Sequence, residues 1–182
     1  MAINMGDEKM TQVSETRQSI WKAMEQYKEK MKLWDRDILD VGIAGDPEYA
    51  PGKRGGNHQF FGKNNNYCTL DILPEYEPDF IGDICKTEFP DERWDLVIIS
   101  QVLEHCWTPK KAIKEAYRII KPHGWLIVDT PWNYPQHEED GFGDYWRFTP
   151  MGMDKLCEEA GFDIIYNISN SWLVSVLARK NK

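Results

Sequence analysis

The stretch Arg93–Trp132 reads RWDLVIISQVLEHCWTPKKAIKEAYRIIKPHGWLIVDTPW. Its run Asp95–Ser100 is apolar and rich in β-branched residues, as in strands that are buried on both faces of a parallel sheet. A helix is predicted to start at Thr108–Pro109, because Thr is a good N-cap and Pro suits the first helical position. Lys121–Gly124 ends that helix in a turn, and Trp125–Val128 is the next buried strand. A strand–helix–strand unit of this kind predicts an α/β fold.

The same stretch resembles the class I S-adenosylmethionine-dependent methyltransferases, here of the small bacterial type. WDLVIISQVLEH and RIIKPHGWLIVDTP carry the resemblance, although His123 takes one glycine position of the family's usual Lys-Pro-Gly-Gly turn. The resemblance implies a Rossmann-like, doubly wound α/β fold. It has a mostly parallel seven-stranded sheet with an antiparallel edge strand, and an N-terminal helix is added to it. It also implies an enzyme that uses S-adenosylmethionine and releases S-adenosylhomocysteine.

Composition limits the alternatives. A chain of 182 residues fits one domain with a small appendage, and its net charge of −8 argues against a broad nucleic-acid surface. The four cysteines form no CxxC pair, and the chain shows no signal peptide or membrane span, so a reduced cytoplasmic protein is expected. The oligomeric state is left open.

The predicted organisation is an N-terminal tail and helix over 1–34 and a methyltransferase-like domain over 35–182. Residues 1–12 lack an apolar pattern and are expected to be disordered. The helix from Ser14 to Trp34 either packs on the sheet edge or caps the cofactor. At the other end, a helix from Thr149–Pro150 to Gly161 precedes two strands that are expected to form an antiparallel hairpin at the sheet edge.

Asp37–Ala44 is the predicted first strand, and it leads into the family's glycine loop. The loop is normally Asp-x-Gly-x-Gly-x-Gly, and here it reads DVGIAGD. Gly42 matches the first glycine, whereas Ala44 and Asp46 replace the second and third. The loop needs a backbone that turns sharply beside the cofactor. The resemblance therefore implies cofactor contacts for Asp40, Gly42, Ala44 and Gly45.

Further cofactor contacts are expected where the next strands end. Asp71 ends the second strand, where an acidic side chain can accept hydrogen bonds from ribose hydroxyls. Asp83 and Ile84 resemble the family's acidic–apolar pair beside the adenine. The set of cofactor residues implied by the resemblance is completed by Ile72, Ser100 and Gln101.

A loop dense in aromatic residues follows the fifth strand and is predicted to hold the acceptor. Its segment DYWRFTPMGM resembles bacterial methyltransferases of sugar and cell-surface glycan pathways, which suggests Tyr145, Trp146 and Arg147 as substrate contacts. Arg147 alternatively bridges to the acids at 138–140. His105 is either a base or part of the cofactor pocket, and His137 is either a base or a solvated loop residue.

The sequence thus predicts methyl transfer to a small polar acceptor, with a sugar or sugar-nucleotide hydroxyl as one candidate. One alternative is a non-catalytic module that binds S-adenosylmethionine or a partner, and the altered glycine loop motivates it. A nicotinamide-dependent oxidoreductase is the other, and the absence of a GxGxxG loop disfavours it. No metal site is predicted, because Asp46, Glu48 and His58 lack the spacing of ligands.

Overall fold

The structure is a computed structural model that describes residues 5–43, 56–137 and 141–182. These residues form one seven-stranded sheet. The strands are β1 (Asp37–Val41), β2 (Asn66–Asp71), β3 (Phe80–Ile81), β4 (Trp94–Ser100), β5 (Ile120–Pro131), β6 (Asp163–Ser169) and β7 (Leu173–Arg179). Their order across the sheet is β3-β2-β1-β4-β5-β7-β6.

The strand directions confirm the predicted mostly parallel sheet. Strands β3, β2, β1, β4 and β5 pair in parallel, while β7 runs antiparallel to both β5 and β6. The last two strands therefore form the expected antiparallel hairpin at the edge. Because β1 lies between β2 and β4, the order of the strands reverses there, and such a switch point leaves a crevice at the carboxyl ends of the strands.

Helices cover both faces of the sheet. On one face, α3 (Pro109–Ile119) and α4 (Pro150–Ala160) bury Ile113, Ile119 and Met153 against the central strands. On the other face, α1 (Met5–Met31) and the short α2 (His58–Phe61) pack over a second apolar cluster. The part of the chain described here contains no helix with the length and apolarity that a membrane span requires.

The N-terminal helix differs from its prediction. Helix α1 begins at Met5, so the expected disorder of residues 1–12 is wrong from Met5 onward, and residues 1–4 lie outside the described residues. The helix packs on a face of the sheet rather than on its edge, and the Tyr27 hydroxyl donates to Ser175 Oγ of β7 at 2.9 Å. Arg17 of this helix also lines a cavity at the carboxyl ends of the central strands, which is described below. The division of the chain at residue 35 stays a prediction.

The predicted turn at Lys121–Gly124 lies inside β5. The helix ends at Ile119, and β5 begins at Ile120 rather than at Trp125. The register jumps from Trp94↔Ile120 to Leu96↔Trp125, so the extra residues form a bulge. His123 has a φ of 64° there, which explains why the family usually has glycine at this position.

Candidate functional site

A cavity of about 570 Å³ opens at the carboxyl ends of β1, β2 and β4. Its size falls within the usual range for small-molecule sites. Two sets of predicted residues line it. The set expected to bind the cofactor contributes Asp40, Gly42, Asp71, Ile72, Asp83, Ile84, Ser100 and Gln101, and the set expected to act on the acceptor contributes His105, His137 and Tyr145.

Gly42 makes the turn that follows β1. Its φ is +78°, and a Cβ at this position would lie 2.1 Å from Val102 Cγ2. Its N–H donates to Leu70 O at 2.9 Å, which ties the turn to β2. Only glycine fits both the dihedral angle and the space. The predicted contacts Ala44 and Gly45 lie outside the described residues.

Asp71 holds two loops at the cavity. Its Oδ2 accepts from Ile43 N at 2.8 Å, and its Oδ1 accepts from Leu73 N at 2.9 Å. Each carboxylate oxygen can still accept another hydrogen bond. Asp83 lies nearby, where its Oδ1 accepts from Cys85 N at 2.8 Å, and the adjacent Ile84 is buried. These two acids and Ile84 line one end of the cavity.

Asp40 is buried and bound by two side chains that the sequence does not single out. Tyr67 donates its hydroxyl to Asp40 Oδ2 at 2.5 Å, and Asn57 Nδ2 donates to Oδ1 at 3.0 Å. Burial raises the pKa of Asp40 to about 7 against the lowering effect of these two bonds. Asp40 of β1 is therefore joined to Tyr67 of β2 and to Asn57, the residue before α2.

Asp129, which sequence reasoning missed, organises the end of β4. Its Oδ1 accepts from Ser100 Oγ at 3.0 Å and from Gln101 Nε2 at 2.7 Å. Burial raises the pKa of Asp129 to about 6. Its place at the end of a buried strand, in the segment LIVDTP, is the signal that could have identified it.

Both ring nitrogens of His105 face protein groups. Nδ1 lies 2.7 Å from Gly143 O, and Nε2 lies 3.7 Å from Glu104 Oε1. The Phe142 ring packs against the imidazole with the centroids 4.5 Å apart. Burial lowers the pKa of His105, so the neutral ring is favoured, with its Nδ1 proton directed to the carbonyl.

His137 is fixed by an ionic network within the aromatic loop. Its Nδ1 lies 3.2 Å from Asp144 Oδ2, and its backbone N–H donates to the same oxygen at 2.9 Å. Arg147 binds that carboxylate through both terminal nitrogens, at 2.5 and 2.7 Å, and donates to the carbonyls of Tyr134 and Pro135. Although burial acts to raise it, the pKa of Asp144 is lowered by Arg147 and by the His137 N–H. Asp144 is thus the acid that Arg147 pairs with, whereas residues 138–140 lie outside the described residues.

Aromatic side chains surround the mouth of the cavity beside these histidines. Trp107 is 71% exposed, and its ring centroid lies 5.3 Å from that of Tyr145 in an edge-to-face arrangement. The predicted substrate contact Trp146 does not line the cavity, and it donates its Nε1–H to Cys106 O at 2.9 Å. Three large exposed rings at a cavity mouth are typical of a surface that a ligand covers.

Comparison with known proteins agrees with this fold. The methyltransferase-domain family profile matches residues 62–128. A probable S-adenosylmethionine-dependent methyltransferase of Mycolicibacterium smegmatis is 34% identical over 50 residues, which are 28% of this chain and 20% of that protein. A sterol 24-C-methyltransferase of Gibberella zeae is 31% identical over 108 residues, which are 50% of this chain and 28% of that protein. The chain therefore matches only 20% and 28% of the length of these two relatives.

A solved structure shows the same fold over the whole chain. The 1,6-didemethyltoxoflavin-N1-methyltransferase of Burkholderia thailandensis has a TM-score of 0.65 at 12% identity, covering 100% of this chain and 93% of that one. It was crystallised with bound 1,6-didemethyltoxoflavin and S-adenosylhomocysteine. The strand order, the family profile over residues 62–128 and these matches together support a class I S-adenosylmethionine-dependent methyltransferase. S-adenosylmethionine is the cofactor that this similarity indicates.

The described residues fit that cofactor. The turn at Gly42 keeps the cavity floor free of a side chain, and Asp71 presents unused acceptor capacity beside it. The Asp83–Ile84 pair, which lines the same cavity as Asp71, combines an acceptor with an apolar wall. A backbone turn suits the polar tail of a ligand, an acid suits a ribose, and an acidic–apolar pair suits a flat base.

Proposed function

We propose that this chain transfers a methyl group from S-adenosylmethionine to a hydroxyl group of a small polar acceptor, with a sugar or sugar nucleotide as the first candidate. The observation that carries the proposal is that the cofactor-type lining, two imidazoles and aromatic rings meet in one cavity. The aromatic rim suits the apolar face of a sugar ring as well as a flat heterocycle.

On the cofactor side, each residue has a distinct task. Asp71 accepts from the ribose hydroxyls while it holds the N–H groups of Ile43 and Leu73. Asp83 and Ile84 receive the adenine, and Gly42 lets the backbone approach the polar tail. The bound cofactor supplies a methyl group that its sulfonium has already activated, so the remaining task of the protein is to align the acceptor and exclude water.

On the acceptor side, an oxygen nucleophile must lose its proton during the transfer. His105 and His137 are the side chains placed to promote that loss, with their ring centroids 5.0 Å apart. Asp144 and Arg147 orient His137, so Arg147 acts on the acceptor through the loop rather than by direct contact. Tyr145 forms the wall of the cavity, and Trp146 supports the rim from outside.

The experiment is an acceptor screen with paired variants. Formation of S-adenosylhomocysteine is followed against a panel of sugars and sugar nucleotides, and the most active acceptor is then used with His137→Asn. Turnover should fall by roughly 100-fold or more, the scale for losing a group that assists proton transfer, while the affinity for S-adenosylhomocysteine stays unchanged. His123→Asn, on the β5 bulge away from the cavity, is the matched control and should behave as wild type. Normal turnover of His137→Asn would remove that residue from the reaction.

A second candidate function is a non-catalytic module that binds S-adenosylmethionine or a partner. The replacement of two loop glycines by Ala44 and Asp46 favours it. Tight cofactor binding without turnover of any acceptor would support this alternative over the enzyme. The cytoplasmic location and the absence of a broad nucleic-acid surface remain predictions.

A further inference from the structure

Glu104 has a buried carboxyl group that finds no hydrogen-bond partner among the residues described by the structure. Its exposed fraction is 0%, and neither carboxylate oxygen is hydrogen-bonded to any residue that the structure describes. Buried side-chain oxygens in folded proteins are almost always satisfied, and an unsatisfied one commonly marks a missing water or ion. Removing a carboxyl group from water without compensation is costly, so this position requires an explanation.

Two imidazoles converge on the same point. One ligand atom from each of Glu104, His105 and His137 can be chosen so that all three lie within 4.8 Å of one another. Glu104 Oε1 and His105 Nε2 are 3.7 Å apart, which is too far for a hydrogen bond. Donor atoms that bind one ion at about 2.1 Å stand roughly 3.4 Å apart. The three groups therefore need to close by no more than about 1.4 Å to share an ion.

The contacts behind the two rings are those that orient metal ligands. His105 Nδ1 lies 2.7 Å from the Gly143 carbonyl, so its proton points there and Nε2 presents a lone pair towards Glu104. His137 is held by the buried carboxylate of Asp144, which Arg147 fixes in turn. In known metal sites a ligating histidine usually donates its other N–H to a carbonyl or a carboxylate, which fixes its tautomer.

We propose that Glu104, His105 and His137 bind one divalent cation of the zinc class. Two imidazoles and one carboxylate form the ligand set of catalytic zinc sites, which keep a further position open for water or substrate. Imidazole ligands favour Zn²⁺, Co²⁺ and Ni²⁺ over Mg²⁺, which prefers oxygen. Both histidines line the cavity, so the open position would face it.

The site also has a consequence for catalysis, which rests on the methyl transfer proposed above. A hydroxyl group bound to such a cation loses its proton more readily than a free one. The two imidazoles would then promote proton loss as ligands of the cation. Cation binding itself does not depend on methyl transfer, so the two proposals can fail separately.

The test is a titration of the full chain, with any affinity tag removed and bound metals stripped by a chelator. Zn²⁺ and Mg²⁺ are titrated by calorimetry, and Co²⁺ is followed by its absorption spectrum. We expect one Zn²⁺ per chain, at least 100-fold weaker binding of Mg²⁺, and a rise in thermal stability with Zn²⁺. Glu104→Gln and His137→Asn should each weaken Zn²⁺ binding by at least 10-fold, whereas His123→Asn should not.

Cys85 and Cys106 also line the cavity, and metal binding by these two thiols is the competing explanation. The cobalt spectrum distinguishes thiol ligands from the proposed ones. Cobalt held by nitrogen and oxygen ligands lacks the intense thiolate charge-transfer band. Absence of stoichiometric Zn²⁺ binding, a thiolate band, or equal affinity in the two site variants and wild type would overturn the proposal. His137 is partly exposed, so His137→Asn keeps the test decisive if Glu104→Gln fails to fold.

Discussion

Replacing Gly42 by Ala tests the link between the first strand and the cavity. The substitution places an L-residue at φ +78° and a methyl group 2.1 Å from Val102 Cγ2. Left-handed backbone costs a non-glycine residue about 1–2 kcal/mol, and overpacking a filled space costs about 1–3 kcal/mol. We therefore expect Gly42→Ala to lower the free energy of unfolding by roughly 2–5 kcal/mol.

The two contributions can be separated by a second substitution. In Val102→Ala the Cγ2 atom is absent, and the next neighbour of the added methyl group, the Cβ of residue 102, lies at an ordinary 3.6 Å. The double variant should therefore keep only the backbone term, and the coupling energy between the two sites should be about 1–3 kcal/mol. Urea unfolding of the wild type, both single variants and the double variant gives these values.

The same variants should also change cofactor binding. Calorimetric titration with S-adenosylhomocysteine should show at least a 10-fold loss in Gly42→Ala, because the turn must shift. Gly161→Ala is the control, since Gly161 has φ +109° and close contacts to Tyr117 at the end of α4, away from the cavity. It should destabilise the fold without changing the affinity. An unfolding free energy of Gly42→Ala within about 0.5 kcal/mol of wild type would contradict this explanation. So would a double variant in which Val102→Ala restores none of the stability that Gly42→Ala loses.

Three further predictions concern pH, helix capping and the aromatic loop. Burial raises the pKa of Asp40 to about 7 in the folded chain, whereas it is near 3.9 in the unfolded chain. Between about pH 4 and 7 the folded chain therefore keeps a proton on Asp40 that the unfolded chain loses. This contribution to stability is complete below about pH 4 and is lost as pH rises to about 7, so Asp40→Asn should flatten the fall in unfolding free energy between about pH 4 and 7. Thr149→Ala should cost about 1 kcal/mol of unfolding free energy because its hydroxyl caps α4, whereas Thr108→Ala should cost less, since that side chain makes no capping bond. Arg147→Ala should cost about 1–3 kcal/mol of unfolding free energy, because it removes the cation that pairs with the Asp144 carboxylate. It should also speed proteolysis within residues 132–149, and unchanged cleavage would argue against Arg147 as the residue that holds that loop.

The sheet could be predicted because its information is local. Continuous apolar runs such as Asp95–Ser100 identified buried strands, and Gly161 was correctly expected to end α4, where it has φ +109°. The start of β5 was missed, since Lys121–Gly124 carries strong turn residues. Pairing of Ile120 with Trp94 overrides that local preference and makes the segment a bulge.

The lining of the cavity could be predicted where a residue type and a strand end coincide, as at Gly42 and Asp71, and in the aromatic loop, as at His137 and Tyr145. Its other features depend on contacts between distant segments. Tyr67 reaches Asp40 across 27 positions of sequence, and His105 meets Gly143 across 38. The unpaired state of Glu104 depends on what surrounds it in the folded chain, and residue spacing gives no sign of it.

The cofactor assignment is tested most directly by calorimetric titration of the purified chain with S-adenosylmethionine, S-adenosylhomocysteine and NAD. Both sulfur compounds should bind with one site per chain and micromolar affinity, and NAD should give no heat of binding. Asp71→Ala should reduce the binding free energy of both sulfur compounds by roughly 1–3 kcal/mol. Binding of NAD in their place, or no binding of either sulfur compound by the folded chain, would contradict the cofactor assignment.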